Sequence, residues 1–326
     1  MDPFVSIIIP VKNEAGILSR CLESLRNLDY LKERMEVIIC DGLSTDKTRE
    51  IALSYGARVV RNDKQVVVSG RNRGFEAAKG SVIAFTDADC VFDRGWIRNS
   101  VKYLEDKAIG GVGGRTLAPE TASGFEKAVD LIFSLADVFQ ATCHRKGSHA
   151  ACEVKDIPGC NAVYRKDALD KVMPVDETLL TAEDVWMNSC VRKNGYRLIS
   201  APDAILWHNR RSSPKKFSRQ VYRFAIGRLQ AGKRRPELLN PFHILSGLCI
   251  PFLLAAAIYA FISGSHGTML LSALILAFAA FLASMAATRS FAAAVNLPLA
   301  AIIFSLAWSA GFLRELFFPM KDIKGR

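Results

Sequence analysis

The sequence predicts an α/β fold, a mostly parallel sheet with helices on both faces, followed by an α-helical membrane region. Three observations predict it. Short β-branched runs alternate with helical patterns of about 10–15 residues through the first part of the chain. Between Glu237 and Arg289 there is no Asp, Glu, Lys or Arg. Polar and acidic residues gather directly after the apolar runs rather than at random.

The elements follow in order. VSIIIPV (Val5–Val11) reads as a first strand, and Ile17, Cys21, Leu22, Leu25 and Leu28 then recur at helical spacing. EVIICD (Glu36–Asp41) is a second strand. In the following DGLSTDKT, Ser44 or Thr45 is the expected N-cap of a helix over Thr48–Tyr55. ARVVRN, a helix over Ser69–Lys79, the strand SVIAFTD and a helix over Gly95–Leu104 complete the pattern. Near-continuous apolar strands separated by helices imply a parallel sheet buried on both faces. Right-handed crossovers place the strand C-termini on one edge, where ligands bind in open α/β sheets.

What stands at that edge is polar. Lys12, Asn13 and Glu14 follow the first strand; Asp41, Gly42, Ser44, Thr45 and Asp46 follow the second. Gly70-Arg71-Asn72-Arg73-Gly74 opens the helix before the fourth, which ends in Asp87 and Asp89. Aspartates two apart on an extended chain point to the same side, and hard oxygen ligands suit Mg²⁺ or Mn²⁺ with a substrate diphosphate. The competing reading is that Asp87 and Asp89 cap the helix over Gly95–Leu104. Neither G-x-x-x-x-G-K-[ST] nor G-x-G-x-x-G follows the first strand, so a P-loop ATPase and a Rossmann dehydrogenase are both unsupported. Glu183 and Asp184 open another helix. The helix dipole accounts for one carboxylate there; a general base accounts for the other. His208, ending the run DAILW, is either a further metal ligand or a half-buried strand-end imidazole.

Three segments of roughly 20 apolar residues have the length to cross a bilayer: Phe242–Ile262, Met269–Ala287 and Phe291–Phe312. The net charge is +11, with a basic cluster from Arg210 to Arg235 just before the first of them. Such clusters mark the cytoplasmic side and attract anionic lipid. A nucleic-acid patch is disfavoured because interleaved stacking aromatics are lacking. Phe217, Val221, Phe224 and Leu229 recur at helical spacing within this cluster, reading as an amphipathic helix in the membrane interface or as a linker helix. The uncharged loop Ser263–Thr268 suits the outer face and Arg289 the inner face. Three crossings would leave Arg314, Lys321, Lys324 and Arg326 outside, against the positive-inside rule, so the third segment is alternatively re-entrant or interfacial. The eight cysteines lack paired spacing and read as reduced thiols. Cys143, His144, His149 and Cys152 could assemble a zinc site, but their spacing fits no familiar finger. Met1–Pro10 is too short for a signal peptide.

In this order SIIIPVKNE, VIICDGLSTDKT, SGRNRGFEAAKGSVIAFTDAD, PGCNAVYRKDAL, TAEDVWMNSCVRKNGYRL and RQVYRF resemble glycosyltransferase family 2 in a membrane-attached form, over about residues 4–235. The chain is similar to glycosyltransferases of polyprenyl-linked oligosaccharide and exopolysaccharide assembly. The resemblance implies a GT-A nucleotide-diphospho-sugar transferase domain over residues 1–212. A basic amphipathic helix and linker over 213–240 and a transmembrane region over 241–326 would follow. It implies that Pro10, Val11, Asn13 and Glu14 line the nucleotide pocket, with Asp41 on the base and Arg71 near base or phosphate. Asp87 and Asp89 would be the D-x-D pair, Asp89 the direct metal ligand, with His208 facing metal or diphosphate. Gly159, Cys160 and Asn161 would border donor sugar and acceptor; Glu183-Asp184 would be the ED element, Asp184 the base of an inverting displacement. Gln220 and Arg223 look like a variant of Q-x-x-R-W with Phe224 in place of the tryptophan, which argues against a processive enzyme. The expected reactants are a UDP- or GDP-linked sugar, Mg²⁺ or Mn²⁺, and a lipid-linked acceptor on the cytoplasmic membrane face. Transfer to polyprenyl phosphate and a non-catalytic nucleotide-sensing scaffold are the alternatives.

Overall fold

The computed structural model describes residues 2–140 and 150–320, which divide into two compact units. Within the described residues the first comprises 2–117, 137–140 and 150–208, and the second 118–136 and 209–320.

The first unit is built on nine strands: β1 (Val5–Val11), β2 (Met35–Asp41), β3 (Arg58–Arg61), β4 (Val82–Phe85), β5 (Cys90–Phe92), β6 (Ile109–Leu117), β7 (Cys152–Val154), β8 (Ala162–Arg165) and β9 (Arg197–His208). Their order is β3-β2-β1-β4-β8-β6-β9-β5, with β7 also on β9. The crossover half, β3-β2-β1-β4, is parallel, as the apolar runs require. Beyond β4 the sheet is mixed: β8 runs antiparallel to both β4 and β6, and β6 parallel to β9. The connecting helices are α1 (Leu18–Arg26), α2 (Thr48–Ser54), α3 (Val67–Ala77) and α4 (Trp96–Val101). The last helix within β6–β8 is α5 (Gly124–Gln140); α6 (Lys166–Leu169) and α7 (Glu183–Lys193) follow β8. Cys21, Leu22 and Leu25 of α1 are buried with the inward side of β1. On α3, a Cβ at Gly74 would stand 2.2 Å from Ile8 Cγ2, so the helix backbone lies directly on β1.

Register sets the functional edge. Val11 pairs with Asp41 and Asp41 with Arg61, so the loops after β1, β2 and β3 emerge at one level. Phe85 pairs with Ile8 and, across β8, with Ala162, which sets Gly159–Asn161 beside the end of β4. Cys90 pairs with His208, bringing the far end of β9 to the residues that follow β4.

The second unit holds α8 (Pro214–Arg234), α9 (Pro241–Gly247), α10 (Cys249–Ser263), α11 (His266–Thr288) and α12 (Phe291–Phe317), together with most of α5. Two of these, α11 and α12, are long and apolar enough to cross a membrane. The first expected span is not one helix: α9 and α10 meet at a 50° bend. Pro251 has no N–H for Gly247 O, four residues back, and the Ser309 hydroxyl donates to that carbonyl at 2.7 Å while accepting from Ile250 N at 3.0 Å.

The apolar stripe of α8 also departs from expectation. Phe217, Val221 and Leu229 are buried in a core with Phe125 and Val129 of α5 and Leu297, Trp308 and Phe312 of α12. Those three positions are covered by protein rather than offered to lipid, whereas Phe224, the fourth of the expected stripe, is exposed.

Candidate active site

The loops after β1 and β2 clasp each other. Asn13 adopts φ 55°, a left-handed conformation that asparagine tolerates better than most residues. Its N–H donates to Ser44 Oγ at 2.9 Å, and its Oδ1 accepts from Thr45 N at 2.8 Å. Glu14 N donates to Thr48 Oγ1 at 2.8 Å. Because Ser44 and Thr45 are engaged with Asn13, neither caps α2. The N-cap is Lys47, and Asp46 just before it accepts from Thr48 N at 3.0 Å, the Thr48 hydroxyl bond holding its carboxyl below the usual range. Pro10 and Glu14 are half-buried, Asn13 is exposed, and Val11 and Asp41 are buried. Asp41 accepts from Ser44 N at 3.2 Å.

Arg71, near the start of α3, is 4% exposed and is the hub of the site. Nη1 donates to Glu183 Oε1 at 2.9 Å; Nη2 donates to Gly159 O at 3.0 Å and to Asp87 Oδ1 at 3.4 Å. The guanidinium lies 5.7 Å from the Phe85 ring centroid. Gly159 permits this closeness, since a Cβ there would be 2.4 Å from Nη1. The Gly159 N–H in turn donates to Asp184 Oδ2 at 3.1 Å, and Asp184 Oδ1 accepts from Val185 N at 2.8 Å. One guanidinium and the backbone of one glycine therefore join the D-x-D element to the Glu183-Asp184 element. Burial pushes the Glu183 carboxyl up against the pull of Arg71. For Asp87 burial also pushes the carboxyl up, against the pull of Arg71; 38% of its side chain meets solvent.

The aspartates do not share one direction, because the chain turns after β4: Cys90 N donates to Asp87 O at 3.3 Å. Asp87 faces Arg71, while Asp89 Oδ1 lies 3.1 Å from His208 Nε2. Burial disfavours charge on His208, but Asp89 and Cys160 together outweigh it and push the imidazole up to about 10. Neither aspartate caps the following helix, where Asp93 accepts from Gly95 N at 2.9 Å.

Asp89, Cys90 and His208 place one donor atom each within 4.8 Å of one another. Neighbouring ligands of an octahedral ion with bonds near 2.1 Å are about 3.0 Å apart, so Asp89 and His208 have the spacing for a hard divalent cation, which would displace the His208 Nε2 proton, with the partly open Asp87 carboxylate beside them. The Cys90 thiol is buried and its pKa is raised well above the ordinary value by that burial, which makes it a poor partner for such an ion.

Cys160, expected to border donor sugar and acceptor, hydrogen-bonds both His208 and Cys90. Sequence reasoning did not find every participant. Ala182, at φ 69°, turns the chain into α7 just ahead of Glu183. No local pattern marks a strained alanine. Asn161 is fully buried and its amide is spent inside the unit, accepting from Trp96 Nε1 at 2.8 Å and donating to Arg115 O at 3.3 Å. It therefore pins β8 rather than facing a ligand. Gln220, Arg223 and Phe224 belong to α8 of the second unit, where Phe224 stands 6.2 Å from the Phe133 ring. Cys143, His144 and His149 lie outside the described residues.

Comparison with known proteins places this arrangement. The pattern of Glycosyl transferase family 2 matches residues 6–173. Glycosyltransferase AglE of Haloferax volcanii is 26% identical over 70% of this chain and 74% of its own. The Methanococcus voltae dolichyl N-acetyl-alpha-D-glucosaminyl phosphate 3-beta-D-2,3-diacetamido-2,3-dideoxy-beta-D-glucuronosyltransferase is 26% identical over 69% of this chain and 73% of its own. Among solved structures, the mannosyltransferase PcManGT from Pyrobaculum calidifontis, in complex with GDP-Man and Mn²⁺, superposes with a TM-score of 0.69 at 18% identity, over 96% of this chain and 88% of that one. These neighbours share the GT-A fold.

Proposed function

We propose that this chain, which belongs to Glycosyl transferase family 2, moves a sugar from a nucleotide-diphosphate donor to a lipid-linked acceptor at the cytoplasmic membrane face, with inversion at the anomeric carbon. The supporting observation is the joining of two carboxylate pairs through Arg71 and Gly159. It holds a base candidate, Asp184, at a fixed position relative to Asp87 and the Asp89–His208 pair. Two backbone amides orient the Asp184 carboxylate, leaving lone pairs to take a proton from an attacking hydroxyl. Asp89 and His208 would hold Mg²⁺ or Mn²⁺, with Asp87 beside them; that ion neutralises charge gathering on the departing diphosphate. Asn13, Val11 and Asp41 would bound the nucleotide. Arg71 acts as a positioning residue, because its two terminal nitrogens bond Glu183, Gly159 and Asp87.

The Methanococcus voltae relative is named for extension of a dolichyl-linked sugar, which supports a sugar hydroxyl on a lipid carrier as the acceptor. PcManGT was solved with GDP-Man and other neighbours with UDP, so guanosine and uridine donors are both to be assayed. The test is Asp184→Asn in native membranes, supplied with UDP- and GDP-sugars and extracted lipids, with products read by mass. Loss of turnover by about 10²–10⁴-fold at unchanged donor affinity is expected of a general base. Parent-level turnover would remove the base assignment and favour an already ionised phosphate acceptor.

A further inference from the structure

We infer that α12 does not cross the bilayer, and that α10 and α11 alone form the crossing hairpin, so the two chain termini lie on the same side. This is independent of the sugar-transfer reading. By length and composition α12 passes as a span, but its packing differs from that of α11: one third of its apolar window (33%) is buried in protein, against 6% for α11.

The covered side of α12 is occupied along its whole length. At its start Ala292 abuts Gly124, where a Cβ would be 2.7 Å from Ala292 backbone and side-chain atoms. This is the polar beginning of α5, where Ser123 N donates to Glu126 Oε2 at 2.8 Å. In the middle Ala300, Ala307 and Phe312 share a core with α5 and α8. A Cβ at Gly311 would stand 2.3 Å from Tyr222 O, so α8 and α12 touch backbone to backbone. At its end Lys233 Nζ, near the C-terminus of α8, donates to Glu315 O at 2.6 Å.

Helix α8 carries Lys215, Lys216, Arg219, Arg223, Arg228, Lys233 and Arg234. Lys215, Lys216, Arg219, Lys233 and Arg234 are exposed. A crossing α12 would draw that helix, and the capped start of α5, into hydrocarbon, where charged side chains are rare and face a protein interior. The uncovered side of α12 carries Phe291, Val295, Leu299, Ile302 and Leu306, all exposed and all falling on one helical stripe. Alone α12 is apolar on both sides, but packed together α8 and α12 form a layer with an apolar stripe on α12 and exposed basic side chains on α8, the amphipathic character of an element lying in the plane of the interface. The occupant of the stripe is therefore the acyl boundary of the leaflet on the α8 side.

By contrast α11 exposes apolar side chains around its circumference and, at 23 residues, reaches about 34 Å, enough for the ~30 Å core. Its partner α10 has 15 residues, a short span that local bilayer thinning accommodates. An even number of crossings also puts Arg289 and Arg314 on the same side as the basic α8, satisfying the charge rule that three crossings violate.

The experiment uses the full chain with protease-cleavable epitope tags at the N-terminus, at the C-terminus, and inserted between Gly264 and His266, in sealed membrane vesicles of one orientation. The N-terminal tag sets the reference side. The expected result is that both terminal tags are cut or protected together, and that the loop tag behaves oppositely until detergent is added. A C-terminal tag that follows the loop tag overturns the inference, because α12 then crosses; a loop tag that follows both termini overturns it too, because the hairpin does not cross. The terminal tags can be read without the insertion, should the loop variant fail to fold.

Discussion

Replacing Arg71 is the sharpest probe of the site's construction. In Arg71→Met the stem stays apolar and of similar reach, but Glu183, whose side chain is 12% exposed, loses its cation. Breaking a buried pair by removing one partner costs about 3–5 kcal/mol, because the remaining charge is stranded. The lost donor to Gly159 O belongs to the same network and does not add separately. Arg71→Lys keeps the charge, but a single ammonium cannot satisfy Glu183, Gly159 and Asp87 from one point. The expected loss is about 1.5–3 kcal/mol, that of one charged hydrogen bond. For a domain of roughly 200 residues, 1 kcal/mol moves Tm by about 2–4 °C, so the Met variant should melt roughly 6–20 °C lower and the Lys variant roughly 3–12 °C lower. Arg73→Met, which removes an exposed i,i+3 pair with Glu76, is the control and should shift Tm by no more than about 2 °C. The assay is the tryptophan-fluorescence melt of the full chain in nanodiscs. An Arg71→Met protein melting within 2 °C of the parent, on the scale of that control, would refute the claim that this guanidinium holds the two carboxylate elements together.

Three further outcomes follow from local geometry. Asp89→Asn and His208→Gln should each weaken Mn²⁺ binding by at least about tenfold, read by calorimetry, while Asp93→Asn, which removes a nearby charge but keeps the Oδ1 acceptor for Gly95 N, should leave it unchanged. Ala182→Gly should stabilise the protein by up to about 1 kcal/mol, since glycine adopts φ 69° without the Cβ penalty, and an unchanged Tm would show that the alanine is unstrained. Burial raises the Cys40 thiol to about 12, so at pH 8 only about 10⁻⁴ of it is thiolate, whereas Cys152 is exposed. Alkylation followed by peptide mass should mark Cys152 in the native protein and reach Cys40 only after unfolding.

Elements whose signal is local were legible in the sequence. The runs at β1, β2 and β4 are apolar because both sheet faces are covered, and the rim residues after them stand where the crossovers require. What periodicity cannot say is what covers an apolar face. The stripe on α8 has the pattern of an interface helix, yet α5 and α12 lie on it. Nor does any local pattern forecast contacts made through register. His208 reaches Asp89 because Cys90 and His208 are partners in the β5–β9 pair. Glu183 reaches Arg71 across 112 positions of chain. The bend between α9 and α10 was half visible: Pro251 was in plain sight, but the Ser309 hydroxyl that takes its place in the bonding pattern comes from another helix.

The charge pattern of the first unit is an argument for what the rim is for. Four carboxylates, Asp87, Asp89, Glu183 and Asp184, are linked through short contacts to one guanidinium and one imidazole. A fold optimised only for stability would replace such a buried polar network with apolar packing of similar volume, which is often neutral or stabilising. Here Glu183 and Asp87 are pushed toward protonation by their burial and Ala182 is held left-handed just ahead of Glu183, both of which cost stability. The surplus negative charge is what a divalent cation neutralises, and a cation held there offers its remaining coordination positions to a diphosphate. Both terminal nitrogens of Arg71 are engaged with the protein's own acceptors and the residue is only 4% exposed, so a bound ion would be the stronger attraction for a diphosphate here. Donor binding should therefore fall with chelation far more than with added salt, which screens exposed charges but reaches a buried ion site weakly.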